Sequence, residues 1–539
     1  MQAVQPALHV TWFGRGARAP RPPAVILIPA IIVAAAMLLP IAYLVIRTAG
    51  AGEEALQLLL RGRTVQVLVN TCLLALSVTV ATSALGIALA WLTVRTDLPL
   101  RRLWTVLLAL PLAVPSYVGG FVLISAFGPR GMLQQLLAPL GVARLPDIYG
   151  FPGAMLTLTL FSYPYVLLSV RGALSGMDSG PEEASRSLGC SPAATFWRVV
   201  LPQLKPATAA GALLVALYTL SDFGAVSLLR FESFTYQIYL QYQGSFDRTL
   251  AAVFSLVLVC LTVIVLFSEG RARGRAAYYR STVGSIRPPR PVPLGRWRWP
   301  ALAFCGLTAT AALALPVLVL FFWLAQGIVA GQPLHLVWRP ALNSAYASGL
   351  ATAVMLAAAI PVAVLAVRYR GRLSILIERA TYIGFALPGI VIALSLVFFG
   401  VRYATPLYQT MAMLVFAYVV RFLPQAVGAT RASLLQVNPR VEDAARSLGY
   451  SVLQTLARIT IPLVRRGLLG GAGLVFLTTV KELPATLILS PIGFDTLATS
   501  IWGATSEGLF ARAAVPALLL ILISLIPMAL MVTGEESGR

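Results

Sequence analysis

Charge is what this sequence of 539 residues has least of: 11% of it is Asp, Glu, Lys or Arg, against about 25% in a soluble domain. With 58% hydrophobic residues and a mean hydropathy of +0.83, a soluble globular fold is excluded. Histidine occurs only at His9 and His335, too few for a His-rich metal site. The cysteines, Cys72, Cys190, Cys260 and Cys305, have no ligand spacing, and Cys72 and Cys260 lie in apolar runs. They read as small core residues, and neither disulfides nor a metal site is indicated. Lysine occurs only as Lys205, after Leu204, and Lys481, after Val480. The Gly-Lys-Ser/Thr of a phosphate-binding loop is therefore missing, and any ATP hydrolysis belongs on another chain. No nucleophile and base stand together, so no catalytic residue is expected.

What the sequence does have is long apolar runs. A helix needs about 20 apolar residues to cross a bilayer, and twelve runs qualify: 24–47, 65–94, 103–126, 151–171, 207–229, 250–268, 299–325, 343–367, 379–401, 407–428, 466–490 and 512–534. They lack the alternation of a membrane barrel, so the fold class is an all-α integral membrane protein. The first run is too long for a signal-peptide core and has no clear cleavage site, and reads as a retained helix.

The net charge of +22 comes mostly from arginine collected in short segments between the runs, which fits cytoplasmic loops better than a nucleic-acid face. Eight Arg stand in 269–300, three precede the first run (Arg15, Arg18, Arg21), and Arg95, Arg101, Arg102 and Arg368, Arg372 follow the second and eighth. Both termini are thus expected in the cytoplasm. The expected division is a tail at 1–23, a unit of about six spans at 24–270, a basic linker near anionic lipid at 271–298 and a second such unit at 299–535.

The halves repeat. "EEASRSLGCS" from Glu182 recurs as "EDAARSLGYS" from Glu442, and at the same spacing of 260 "SDFGAV" around Asp222 faces "KELPAT" around Glu482. Asn70 and Arg95 match Asn343 and Arg368, and the "ALP" ending at Pro111 is matched to the one ending at Pro388. An internal duplication about an axis along the membrane normal places a pathway between the halves.

Each decapeptide reads as a short helix, a glycine turn and a second helix. Asp178 and Asn438 suit N-caps, and Glu182, Glu183, Glu442 and Asp443 follow where carboxylates favour the helix dipole. Gly189 and Gly449 stop the helix, and Ser191 and Ser451 cap the next, the first with Pro192 behind it. Ala184, Ala444 and Ala445 give a smooth surface suited to docking in a groove.

"EEASRSLGCSPAATFWRVVLP" and "EDAARSLGYSVLQTLARITIP" resemble the EAA loop of bacterial ATP-binding-cassette importer permeases, here with two permease units fused. "LYTLSDFGAVSLLRFESFTYQIYLQY" and "KELPATLILSPIGFDTLATSIW" resemble the iron(III) transport permeases. The resemblance covers about 60–535; Ser185 and Asp443 depart from the motif's second Ala and its Glu. It implies a type I importer permease fold in the bacterial inner membrane, with two ATPase subunits gripping the loops and a periplasmic or extracellular binding protein delivering iron(III). ATP and Mg are then held by the partner subunits, and this chain binds no cofactor, metal or nucleic acid. The implied ATPase-coupling residues are Glu182, Glu183, Ala184, Gly189, Glu442, Asp443, Ala444 and Gly449.

Asp222, Lys481 and Glu482 fall in the fifth and eleventh runs, where ionisable groups are costly unless they face protein or water. Asp222 and Glu482 are expected to line the cytoplasmic half of the pathway, and otherwise to tie helices together. Lys481 is expected to bond a neighbouring helix, and Pro484 to loosen its own helix near Glu482. Thiamine, phosphonate or polyamine are alternative substrates. A secondary transporter of the major facilitator type would also show six plus six helices, but would not need duplicated EAA loops.

Overall fold

The structure is a computed structural model and describes residues 22–50, 57, 61–129, 131–142, 145–244, 249–272, 291–331, 337–369 and 371–537. Nearly all of the N-terminal tail and most of the basic linker lie outside the described residues.

The first half holds α1 (Ala24–Ala49), α2 (Gly62–Arg95), α3 (Arg101–Ala109), α4 (Ser116–Phe127) and α5 (Phe151–Ser175). It continues with α6 (Gly180–Ser187), α7 (Pro192–Ser221), α8 (Gly224–Leu228), α9 (Phe234–Gly244) and α10 (Thr249–Ala272). The second half repeats the order: α11 (Gly295–Val329), α12 (Trp338–Arg368), α13 (Arg372–Tyr382), α14 (Gly389–Tyr403), α15 (Met411–Leu435), α16 (Pro439–Ser447), α17 (Val452–Val480), α18 (Pro484–Leu489), α19 (Leu497–Ser506) and α20 (Phe510–Ser537). Among the described residues no strand occurs; the single bridge joins Thr96 to Val292.

Nine helices among the described residues are long and apolar enough to cross a membrane. Four of the twelve expected spans are broken. The third and ninth runs bend by 96° and 106°, each at a proline in extended conformation, Pro115 (φ −65°, ψ 148°) and Pro388 (φ −58°, ψ 142°). Proline ends the helix before it and opens the next. The structural partner of Pro388 is therefore Pro115, and the matching of Pro111 is corrected. The corrected spacing of 273 equals that of Asn70 with Asn343 and Arg95 with Arg368, so one register serves the whole upstream part. It shifts only at the 127–151 connection, which carries the extra short helix Met132–Leu137.

The fifth and eleventh runs, expected as continuous helices, stop at Ser221 and Val480 and restart as α8 and α18. Pro484 sits at the first position of α18, where its missing N–H costs nothing. It starts a helix and does not loosen one.

The halves interlock. α1 packs against α12, α13 and α14 of the second half, while α11 packs against α3 and α4 of the first. Thr262 donates across the interface to the Ala386 carbonyl oxygen at 2.6 Å, and Trp323 Nε1 donates to Ser125 Oγ.

Candidate functional site: two coupling loops and the cavity between the halves

The two decapeptides fold alike. Asp178 Oδ1 accepts from Gly180 N and Asn438 Oδ1 from Arg440 N, both at 3.1 Å. Gly189 and Gly449 close the helices with φ of +85° and +91°, a left-handed conformation that costs other residues about 1–2 kcal/mol. Ser191 Oγ accepts from Ala194 N and Ser451 Oγ from Gln454 N, each at 3.2 Å, and Gln454 completes a capping box by accepting from Ser451 N. A single turn of π-helix follows in both, Phe196–Val200 and Leu456–Thr460, leading into α7 and α17.

The acidic residues of the motif divide into two kinds. Glu183 and Asp443 are exposed, as are Ala184, Ala444 and both glycines. Glu182 and Glu442, expected among the coupling residues of the docking surface, are 7% exposed and turn inward. Glu182 meets Arg95 at 2.9 Å. Glu442 accepts from Arg368 through both oxygens at 3.0–3.2 Å and from Thr460 Oγ1 at 3.2 Å. Each buried carboxylate thus fastens a loop to the C-terminal end of the second long helix of its half. In the sequence Arg95 and Arg368 orient the chain and occupy matching places in the two halves, as Glu182 and Glu442 do; that double match is the signal for the pairing.

Leu188 and Leu448 were missed in the sequence; they are 84% and 80% exposed immediately before the glycine turns. The two leucines occupy the same place in both halves, 260 residues apart.

The second feature is a cavity of about 220 Å³ between the halves. All four helix breaks contribute to its wall: Val114 to Tyr117, Ser221 to Gly224, Gly384, Phe385 and Leu387, and Lys481 to Pro484, with Phe161, Tyr165, Arg421 and Gln425 from α5 and α15. Phe161 lies ten residues inside the start of α5, about 15 Å at 1.5 Å per residue. The cavity is therefore near the middle of the bundle.

Asp222 and Glu482 both reach this region, but as caps. Asp222 Oδ1 accepts from Ala225 N at 2.9 Å and Val226 N at 3.4 Å, and Glu482 Oε1 accepts from Ala485 N at 3.3 Å. Each satisfies donors freed where a helix restarts inside the bundle, which an unpaired N–H there would require. Glu482 also pairs with Arg421 at 3.3 Å. Gly389 permits this: an added Cβ would stand 1.7 Å from Arg421 Nη1. Lys481 Nζ donates to the Leu112 carbonyl oxygen of the other half at 3.0 Å. Arg421 was missed in the sequence although an arginine within an apolar run is a flag in itself.

Among the described residues no three His, Cys, Asp or Glu side chains gather as a metal site. The two fastened loops lead through α7 and α17 to the helix breaks around the shared cavity.

Comparison with known proteins agrees with this architecture. The family described as binding-protein-dependent transport system inner membrane component matches residues 82–271 and again 355–533. The chain is 35% identical over 516 residues to the Fe(3+)-transport system permease protein FbpB 2 of Haemophilus influenzae, covering 95% of this chain and 98% of that one. It is 25% identical over 468 residues to the ferric transport system permease protein FbpB of Actinobacillus pleuropneumoniae, covering 81% and 66%. It is 30% identical over 220 residues to the sulfate transport system permease protein CysT of Escherichia coli, covering 40% and 77%. The chain belongs to the binding-protein-dependent transport system inner membrane components, a multi-pass permease that carries the family's module twice.

Proposed function

We propose that this chain is the permease subunit of an ATP-driven importer of iron(III), formed by two fused units at 24–270 and 299–535. The observation that carries the substrate is the end-to-end similarity to the ferric permease of Haemophilus influenzae, which spans both halves, whereas the sulfate permease aligns with only part of the chain. A binding protein delivers the substrate at the outer face. Two copies of an ATPase, holding ATP and Mg, grip the loops from the cytoplasm, where both termini also lie.

In this reading Glu183, Ala184 and Gly189, with Asp443, Ala444 and Gly449, form the docking surfaces, and Leu188 and Leu448 insert into the ATPases. Glu182 and Glu442 hold the loops to the membrane part, so that they pull α7 and α17 rather than swivel. Closure of the ATPases then rocks the two halves and opens the cavity to the outer side. Asp222 and Glu482 shape the pathway by capping α8 and α18, and Lys481 bridges the halves within it.

The test is reconstitution. The full chain, purified with the ATPase that accompanies it, is placed in proteoliposomes and supplied with its binding protein and ⁵⁵Fe(III). Uptake is expected to require ATP inside. Uptake that survives ATP depletion and follows a proton gradient would sink the proposal and favour a secondary transporter.

A further inference from the structure

Around the cavity the charges are unevenly available. The two carboxylates are withdrawn: Asp222 is 7% and Glu482 5% exposed. Their oxygens serve Ala225 N, Val226 N, Ala485 N and Arg421. Giving them to a cation would uncap the helices that form the wall. The cations are not withdrawn. Lys481 and Arg421 are only partly buried and line the cavity. The acceptor that Lys481 meets is a neutral carbonyl, Leu112 O, and among the described residues no carboxylate pairs with it. An ammonium has three N–H donors and no acceptor, so donors remain after that bond. Arg421 lines the cavity beside Lys481, but its Nε faces Glu482 and its Nη1 is packed against Gly389, so Lys481 carries the unbalanced charge.

The neutral lining agrees. Tyr165 and Tyr218 stand in the wall, whereas Ser221 adds no donor because its hydroxyl donates to the Leu217 carbonyl oxygen at 2.7 Å. Gln425 accepts from Thr478 Oγ1 at 3.1 Å through its oxygen, which leaves its amide N–H groups to donate. A cation whose charge is not balanced by a neighbouring carboxylate favours a negative guest in a low-dielectric interior. A bare trivalent metal ion would meet the two cations and no available carboxylate.

We propose that the cavity selects a negatively charged oxygen ligand, and that Lys481, beside Arg421, is the specificity determinant. Iron(III) would then cross as a complex with an oxygen anion and not as the bare ion, which at neutral pH hydrolyses and precipitates unless such ligands hold it. This rests on the reading of the cavity as part of the pathway. An oxygen anion travelling alone presents the same chemistry, and the arms below separate the two.

The experiment uses the full chain with its ATPase in nanodiscs, and equilibrium dialysis against [¹⁴C]citrate, [³²P]phosphate and [³⁵S]sulfate without iron. At least one is expected to bind at a single site per chain. Lys481→Gln, whose amide can still donate to Leu112 O, should weaken that binding at least tenfold, and Lys481→Arg should keep it within about threefold. Because Arg421→Met alone strands Glu482, Arg421→Met with Glu482→Gln is the second variant, with a smaller expected loss. In proteoliposomes, equal uptake of ⁵⁵Fe and [¹⁴C]citrate marks the complex as the cargo, and uptake of labelled anion without iron marks the free anion. The inference is overturned if none of the three anions binds the wild-type chain, or if both variants bind as the wild type does. If ⁵⁵Fe uptake is normal in that case, the importer reading stands and only the anion site falls. If anion binding is lost in the variants while the wild type moves no iron, the iron reading falls and the anion site stands.

Discussion

In the first half the buried carboxylate of Glu182 meets one guanidinium, Arg95, whereas in the second half Glu442 is held by Arg368 through both oxygens and by the Thr460 hydroxyl. The first position that corresponds to Thr460 is Val200, which has no hydroxyl to give. The first loop has a different support. The end of the inter-half linker lies along the segment after α2: Val292 N donates to Arg95 O at 2.8 Å, Asp97 N to Val292 O at 3.3 Å, and Leu294 N to Asp97 Oδ1 at 2.8 Å. A duplicated device is thus fastened by a carboxylate–arginine pair in both copies, with a hydroxyl added in the second and the linker running beside the arginine in the first. A shared backbone design, with the same caps and the same positive-φ glycines, tolerates different fastenings because each needs only to keep one buried carboxylate paired.

Removing the guanidiniums should separate the two halves most. Taking one partner from a buried ion pair costs about 3–5 kcal/mol because a charge is left unpaired. Arg95→Met should cost more than Arg368→Met, since Thr460 still serves Glu442 while Glu182 keeps no other described partner. Thermal unfolding in detergent and recovery of the bound ATPase measure this, and the pair Arg95→Met with Glu182→Leu should regain most of the stability.

Next come the turns. Gly189→Val or Gly449→Val places a branched side chain at a φ near +90° and should cost at least about 1–2 kcal/mol. Insertion is left intact and ATPase recovery lowered. Equal recovery from the double variant would remove the coupling role of the loops. Asp97→Ala loses the bond to Leu294 N, on the order of 0.5–1.5 kcal/mol. Hydrogen exchange should rise at Val292, at Leu294 and in α6, with α16 unchanged. A response shared by both loops would end the distinction drawn between them.

A single hydroxyl also distinguishes the two loops. Ser185, the departure from the motif's alanine, bonds Thr195 Oγ1 at 3.1 Å. In the second half the same place is Ala445, and Thr455 Oγ1 is buried without a partner. Ala445→Ser should therefore raise the melting temperature, in line with a gain of about 0.5–1.5 kcal/mol. Ser185→Ala should lower it.

Much of this was legible in the sequence for definite reasons. Long apolar runs and a decapeptide written twice give the all-α class, the two halves and the capped loops, because each depends on local pattern. Ser191, Ser451, Gly189 and Gly449 do their work within four residues of themselves. The helix breaks at Asp222 and Glu482 were not legible, since hydropathy runs on through them and only the third dimension shows carboxylates capping new helices. The inward turn of Glu182 and Glu442 was hidden for a similar reason. An acidic residue in the first turn of a short helix is as good for the dipole whether it faces water or a buried arginine, and only the partner across the fold decides. Arg421 and the exposed pair Leu188 and Leu448 needed no structure to be noticed.

In the proposed mechanism the two loops drive opening of the cavity between the halves. This is tested most directly with Ser221→Cys, a half-buried position in the cavity wall, in a chain whose Cys72, Cys190, Cys260 and Cys305 are replaced. The measurement is the rate of labelling by a water-soluble thiol reagent added from the outer side, in nucleotide-free and ATP-trapped complexes with the ATPase. Labelling is expected to rise at least several-fold on ATP trapping, and the rise should vanish when Gly189→Pro and Gly449→Pro are added. The same rate in both nucleotide states, or a rise that survives the loss of both turns, would contradict the account.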